Sequence, residues 1–239
     1  MSPLIKKIFR TCGYAIWKIK KSRFKIGRIQ YEVDPCSVGK TPQGELTARG
    51  AINMIKERQL HDLKILDICC GVGIVGLTIF SELRLDAIVK EAVFADINIF
   101  NLNSLHKTIR INNFESLLGD QVRSYLSDGL NHIPQNEKFD LIVSNPPHYF
   151  VKDHIKKNKP LSPSRLGTFD AGWDFHKSFY NLCHRYLTKR GEVWFLENSS
   201  AADEKDFLPF IEANAQLKYV GKVEELLDSG FFWMVTRKS

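Results

Sequence analysis

The chain has 239 residues, 34 Lys+Arg against 27 Asp+Glu for a net charge of +7, with 44% hydrophobic and 26% charged residues. These are globular values, which exclude a wholly disordered or collagen-like chain, and the length suits one large domain or two small ones. No apolar run of about 18 residues is present to span a membrane as a helix. Five scattered cysteines (Cys12, Cys36, Cys69, Cys70, Cys183) form no C-x-x-C pair and no Cys/His cluster, which predicts no disulfide framework, no bound metal and a reducing, cytoplasmic setting.

The positive charge is concentrated at the start. Residues 1–31 hold nine basic side chains and no acid, which leaves 25 basic against 27 acidic groups in residues 32–239. Leu4, Ile5, Ile8, Phe9, Cys12, Ala15, Ile16 and Ile19 recur at helical spacing. Residues 1–38 are therefore expected to form a basic, helical arm ahead of a domain over 39–239. Lys18, Lys20 and Lys21 follow the short apolar stretch at once, which argues against a signal peptide. Residues 1–28 offer either an electrostatic handle for RNA, an anionic membrane face or an acidic partner, or a packed helix with a solvated basic face.

From residue 64 onward strand and helix patterns alternate. Strands are predicted over 64–69, 91–97, 121–128, 139–144 and 192–198. Helices are predicted over 73–83, 99–112, 173–190 (with Gly191 as its stop) and 201–214, the last kinked or interrupted at Pro209. Two closing strands, 218–224 and 231–237, flank a turn signal at 227–230. This alternation implies an α/β fold: a doubly wound, seven-stranded, mostly parallel sheet with one antiparallel edge strand. The long unpatterned stretch 148–172 is of a length that is usually functional.

The segment after the first of these strands, Asp67-Ile68-Cys69-Cys70-Gly71-Val72-Gly73-Ile74-Val75-Gly76, joins strand to helix. Its glycines let the backbone approach a ligand, and the helix N-terminus offers free N–H groups. Gly71-x-Gly73-x-x-Gly76 matches the dinucleotide fingerprint, and Asp96, at the end of the next strand, suits the ribose of any adenosine ligand. Two features separate the ligands. A carboxylate at Asp67 beside the turn repels a pyrophosphate and suits an ammonium or sulfonium group. The strand 139–144 ends in Asn145-Pro146-Pro147, a stiff turn that offers the Asn145 and Pro146 carbonyl oxygens as acceptors. Acceptors suit a substrate N–H2 group and give a nicotinamide oxidoreductase no role for the turn.

Four segments in order, L-D-I-C-C-G-V-G (66–73), F-A-D-I (94–97), S-D-G-L (127–130) and F-D-L-I-V-S-N-P-P (139–147), resemble the motifs of class I S-adenosylmethionine-dependent methyltransferases. They are similar to the branch with N-P-P-[YFW], which contains release-factor glutamine, rRNA guanine-N2 and adenine-N6 methyltransferases. The resemblance covers residues 39–200 and implies a Rossmann-like methyltransferase fold with S-adenosyl-L-methionine as cofactor. It implies that Asp67, Cys69, Gly71 and Gly73 line the methionine part, that Asp96 holds the ribose, and that Ile97 lies against adenine. Asp128 would accept from the adenine amino group with Leu130 nearby, and Asn145 and Pro146, with Pro147, would hold the target nitrogen. Thr41-Pro42 and Thr47 match loosely a Pro/Thr segment at the cofactor's carboxylate end.

Two residues depart from the pattern. Cys69 replaces the usual first glycine of the loop. His148 stands where the branch has an aromatic that stacks on a planar acceptor, with Tyr149 and Phe150 following as substitutes. Imidazole stacks over less area and also binds a proton. The expected reaction is in-line methyl transfer to a planar amide or exocyclic amine nitrogen of RNA or protein. Lys152, Lys156, Lys157, Lys159 and Arg165 on the approach favour an anionic substrate. The alternatives are a small-molecule or peptide methyltransferase with His148 as base, and a non-catalytic RNA- or membrane-docking protein that retains a nucleoside pocket. The remaining histidines, His106, His132, His154, His176 and His184, are read as surface or core residues.

Overall fold

The computed structural model describes residues 22–34, 37, 42–149, 169–224 and 230–239. The predicted helix over the first 21 residues, Thr41, Phe150, the five basic residues of the approach loop and the turn at 227–229 lie outside the described residues.

The first described element is a hairpin, β1 Ser22–Ile26 and β2 Ile29–Val33, with Phe24 stacked on Tyr31 at 5.1 Å. This corrects the reading of these residues as part of a helical arm. The alternation of Ile26, Ile29, Tyr31 and Val33 buries one side of the hairpin in the main core. Helix α1 (Pro42–Glu57) follows and was not anticipated. Ala48, Ala51, Ile52 and Ile55 recur along its buried face.

Then come β3 (Leu63–Ile68), α2 (Ile74–Leu83), β4 (Val89–Asp96), α3 (Ile99–Ile111), β5 (Val122–Leu126) and β6 (Phe139–Ser144). The chain ends with α4 (Asp174–Leu182), β7 (Leu187–Asn198), α5 (Glu204–Glu212), β8 (Leu217–Glu224) and β9 (Phe231–Lys238). The seven-stranded sheet has the order β5-β4-β3-β6-β7-β9-β8. It is mostly parallel; β9, inserted between β7 and the edge strand β8, is the one antiparallel strand. The hairpin, α1, α2 and α3 cover one face, and α4 and α5 the other, so the central strands are apolar on both sides.

The hairpin is held on α3 by side-chain oxygens. Glu32 and Asp34 donate backbone N–H groups to Thr108 Oγ1 (3.1 Å) and Ser104 Oγ (3.0 Å), and Gln30 donates to Asn112 Oδ1 (3.0 Å).

Helix α4 is shorter than predicted. It passes through a 3-10 turn, Cys183–Arg185, into β7, whose first residue pairs with Phe139 of β6. Gly191 therefore lies inside β7 and is not a helix stop. A Cβ there would sit 2.7 Å from the Phe139 carbonyl oxygen, so close approach to β6 requires glycine. Helix α5 runs through Pro209 without interruption, started by a capping box between Asp203 and Asp206.

Candidate active site at the switch point

Strand β3 has β4 on one side and β6 on the other, and the connection direction reverses between β3 and β6. In such sheets a crevice opens beyond the carboxyl ends of the strands at that point. The carboxyl ends of β3, β4, β5 and β6 carry Asp67, Asp96, Asp128 and Asn145, so the sheet brings all four motif segments to one rim.

The loop after β3 is built by alternating positive-φ residues: Cys69 at 56°, Gly71 at 56° and Gly73 at 82°. Cys69 departs from glycine at a position where a side chain is strained by about 1–2 kcal/mol. Gly76 answers a different demand. A Cβ there would sit 2.6 Å from Phe94 Cε1 and 2.8 Å from Asp67 Cβ, so α2 can lie against the sheet only without a side chain at 76.

Asp67 is almost wholly buried, and its Oδ2 accepts the Gly76 N–H at 2.8 Å. The carboxyl supports the loop from beneath by holding the first turn of α2, instead of facing the crevice as a bare charge. Burial pushes its pKa up to about 7, against the pull of the Gly76 N–H.

Asp96 joins the loop to the end of β4. Its Oδ2 accepts the Gly71 N–H at 2.8 Å, and its Oδ1 accepts the Asn98 N–H at 2.8 Å and Asn101 Nδ2 at 3.0 Å. The backbone N–H of Ile97 also acts on the carboxylate, so it is held at the loop by donors from both β4's end and the glycine turn. Burial raises its pKa to about 6, although these donors work in the opposite direction.

The next residues are placed unequally. Ile97 is 43% exposed at the rim, an uncovered apolar side chain next to Asp96. Asp128 is exposed, with its backbone N–H toward His132 Nδ1. Leu130 is 2% exposed and packs in the core beneath α4. Thr47 is fully buried in α1 and donates its hydroxyl to the Gln43 carbonyl, so that hydroxyl is satisfied within its own helix.

The acceptor turn is tied directly to the glycine loop. Ser144, the last residue of β6, donates its hydroxyl to the Ile68 carbonyl at 2.5 Å. Asn145, half-buried, follows; Pro146 is buried and Pro147 half-buried. His148 is 9% exposed, its Nε2 lying 2.7 Å from Asn145 Oδ1 and its ring meeting Phe231 edge-on at 5.6 Å. Tyr149 is half-buried, bridges to Phe169 and takes a hydrogen bond on its hydroxyl from Asn198 Nδ2 at 3.2 Å. The side chain at the stacking position is therefore tucked against Asn145 and β9.

Three residues behind the turn were missed. Glu197, near the end of β7, lies 3.5 Å from His148 Nδ1, and His176 bridges Glu197 to Asp170. Each is nearly inaccessible to solvent. The available signals were an acid closing the apolar run EVWFLEN and a histidine on the aromatic face of α4; each alone reads as ordinary. Among the described residues, no group of His, Cys, Asp and Glu is arranged to hold a metal, and no helix is long and apolar enough to cross a membrane.

An open, mostly parallel sheet with a glycine loop after its central strand, an acid ending the neighbouring strand and an Asn-Pro-Pro turn at the switch point defines the class I methyltransferase type. The chain belongs to the methyltransferase small domain family, whose model matches residues 49–208, well over half of the chain. Among curated relatives, a release factor glutamine methyltransferase of Clostridium botulinum is 32% identical over 132 residues, covering 50% of this chain and 44% of that protein. A ribosomal RNA small subunit methyltransferase C of Haemophilus influenzae is 34% identical over 176 residues, 74% of this chain and 42% of the relative. The tRNA1(Val) (adenine(37)-N6)-methyltransferase of Aeromonas salmonicida is 26% identical over 190 residues, 77% and 70%. The chain thus spans about half the length or less of the first two. In fold it is similar to a T. thermophilus 16S rRNA methyltransferase solved with AdoMet and guanosine, at a TM-score of 0.60, 18% identity and coverage of 92% of this chain and 50% of that one.

Proposed function

We propose that the protein is an S-adenosylmethionine-dependent N-methyltransferase whose acceptor is a planar amide or exocyclic amine nitrogen of RNA or protein. The observation that carries this reading is the Ser144–Ile68 hydrogen bond, which fixes the Asn145-Pro146 acceptors beside the glycine loop. The site fits the cofactor on its own chemistry. Asp96 places a carboxylate at the end of β4 for a ribose hydroxyl, Ile97 offers an uncovered apolar surface for adenine, and Asp128 supplies an exposed acceptor for its amino group. Asp96 and the exposed Asp128 make the rim acidic, which favours a cationic ligand over a pyrophosphate.

When bound, the cofactor supplies an activated sulfonium methyl. The protein's own residues bind, orient and exclude. The carbonyl oxygens of Asn145 and Pro146 accept the two N–H bonds of a planar nitrogen, which draws electron density onto that nitrogen and orients it. Positioning of this kind substitutes for covalent chemistry. Proton loss from nitrogen follows transfer, so no strong base is needed at the site.

The relatives are named as methyltransferases of a release factor, of ribosomal RNA and of transfer RNA, which supports a macromolecular substrate here. The basic residues of 1–21 and of the approach loop extend that reading to an anionic partner, and the scattered cysteines to a cytoplasmic setting. The deciding experiment is labelled-methyl transfer from S-adenosylmethionine into separated RNA, protein and metabolite fractions. Label in RNA or protein supports the proposal; label in metabolites alone moves the assignment to a small-molecule methyltransferase; and the absence of label with intact cofactor binding points to a docking protein.

A further inference from the structure

Four ionisable side chains from separate segments form a buried line behind the acceptor turn: Asp170 before α4, His176 on α4, Glu197 on β7 and His148 after β6. They are 3%, 0%, 1% and 9% exposed. His176 Nδ1 lies 2.6 Å from Asp170 Oδ2, and its Nε2 lies 3.0 Å from Glu197 Oε1. Glu197 turns its second oxygen, Oε2, toward His148 Nδ1 at 3.5 Å. His148 Nε2 then meets Asn145 Oδ1 at 2.7 Å.

Every ring nitrogen of both histidines faces an oxygen that only accepts. A neutral imidazole has one N–H and one lone pair, so either tautomer would set a lone pair against an oxygen. An imidazolium presents N–H on both sides. For His176 burial alone would lower the pKa, but Glu197 and Asp170 outweigh it and hold the ring charged up to about 9. Phe207 stacks on it at 4.5 Å and presents its ring face, which suits a cation. Burial works to raise the Glu197 pKa, and the two histidines more than offset it, so the carboxyl titrates below its ordinary range.

Buried ion pairs are weak contributors to stability, because desolvation cancels most of the attraction. A line of four therefore calls for another role, and one joint in it is incomplete. His148 Nδ1 and Glu197 Oε2 are both buried without a hydrogen-bond partner and lie 3.5 Å apart. Small movement of the His148 ring completes the line at the acceptor turn.

We infer that Glu197 is a positioning residue for methyl transfer: anchored by His176 and Asp170, it holds His148 as a two-sided N–H donor whose Nε2–H grips the Asn145 carbonyl oxygen and orients the acceptor amide. The inference rests on the reading of Asn145 as the acceptor clamp. It assigns His148 a role different from both the stacking aromatic and a base. With both nitrogens engaged as donors the ring has no lone pair with which to take a proton. Asn145 Oδ1 keeps a second acceptor position for the substrate N–H.

The test uses the full chain labelled with 15N-histidine, near neutral pH and without cofactor. The expected spectrum shows both ring nitrogens protonated in His148 and in His176. Glu197→Gln should convert His148 to the neutral form protonated at Nε2, because the amide nitrogen of Gln would then donate to Nδ1. Because Nε2–H then still meets Asn145 Oδ1, Glu197→Gln should leave kcat nearly intact, whereas Glu197→Ala, which leaves His148 Nδ1 unheld, should lower kcat by about 10-fold to 100-fold, the scale of a small misplacement in a site, with the KM for S-adenosylmethionine nearly unchanged. A neutral His148 in the wild-type spectrum overturns the proposal, and this measurement needs no variant to fold. An unchanged His148 spectrum in a folded Glu197→Gln protein, or an unchanged kcat in a folded Glu197→Ala protein, overturns it too. The spectra decide the Glu197–His148 link by themselves, so a wild-type protein that transfers no methyl group to any fraction would defeat the functional reading and be told apart from failure here.

Discussion

Asp96 ties the Gly71 N–H, the Asn98 N–H and the Asn101 amide to the end of β4, where the ribose of the cofactor is proposed to meet it. A hydroxyl donates to the carboxylate and not to the protonated acid at that position. Burial lifts the Asp96 pKa to about 6, so protonation should weaken binding. Affinity for S-adenosylmethionine is expected to be flat above that value and to fall as pH drops through it. Calorimetry from about pH 8 to about pH 5 checks this, and an affinity that rises on acidification would remove Asp96 from the ribose contact. Asp96→Ala should cost about 1.5–3 kcal/mol of binding at neutral pH, the scale of hydrogen bonds to a charged acceptor. Asn145 has the opposite signature. Its carbonyl is proposed to meet the acceptor nitrogen, so Asn145→Ala should lower the single-turnover rate about 10²–10³-fold, as loss of a preorganised polar group does, and leave cofactor affinity nearly intact. Equal turnover by the variant would take Asn145 out of the site.

Among the elements, the alternating strands and helices between residues 63 and 144 were legible because each is a short apolar run or an amphipathic repeat closed by its own turn chemistry. The exceptions are instructive. Residues 187–190 were assigned to a helix that Gly191 would stop; pairing of Leu187 with Phe139 drew them into β7. The hairpin was hidden by its charge. Lys25, Arg28 and Arg23 alternate with Ile26, Ile29 and Tyr31, a period-2 pattern read there as the tail of a basic helix. Its burial predicts how truncations differ. Removal of residues 1–33 takes Ile26, Ile29, Tyr31 and Val33 from the core, each worth about 1.5–3 kcal/mol when fully buried. That deletion should lower the melting temperature far more than removal of residues 1–21, which leaves β1 and β2 in place. Equal melting temperatures for the two truncated proteins would contradict a stabilising hairpin.

At the scale of the molecule, charge is separated from the site. Residues 1–21 contain six basic side chains and no acid, whereas the rim of the crevice is acidic. If residues 1–21 hold an anionic substrate, the affinity of the full chain for RNA should fall with salt along a steeper log–log slope than that of the chain lacking them. The difference should be about 0.7–0.9 per phosphate neutralised. Filter binding across a salt series measures both slopes, and coincident slopes would show that residues 1–21 make no phosphate contacts. The sequence by itself determined the fold class, the order of the motifs and the four residues that close the central strands, because those signals are local: a strand, its turn and the next helix lie within some thirty residues of one another. Only the tertiary structure decided what the carboxyls and histidines do. Asp67 faces the first turn of α2, Leu130 lies in the core, and Asn145, His148, Asp170, His176 and Glu197 converge from the ends of two strands and the start of a helix. Their chemistry depends on which lone pairs and N–H groups meet in a space closed to water, and spacing along the chain carries no record of that.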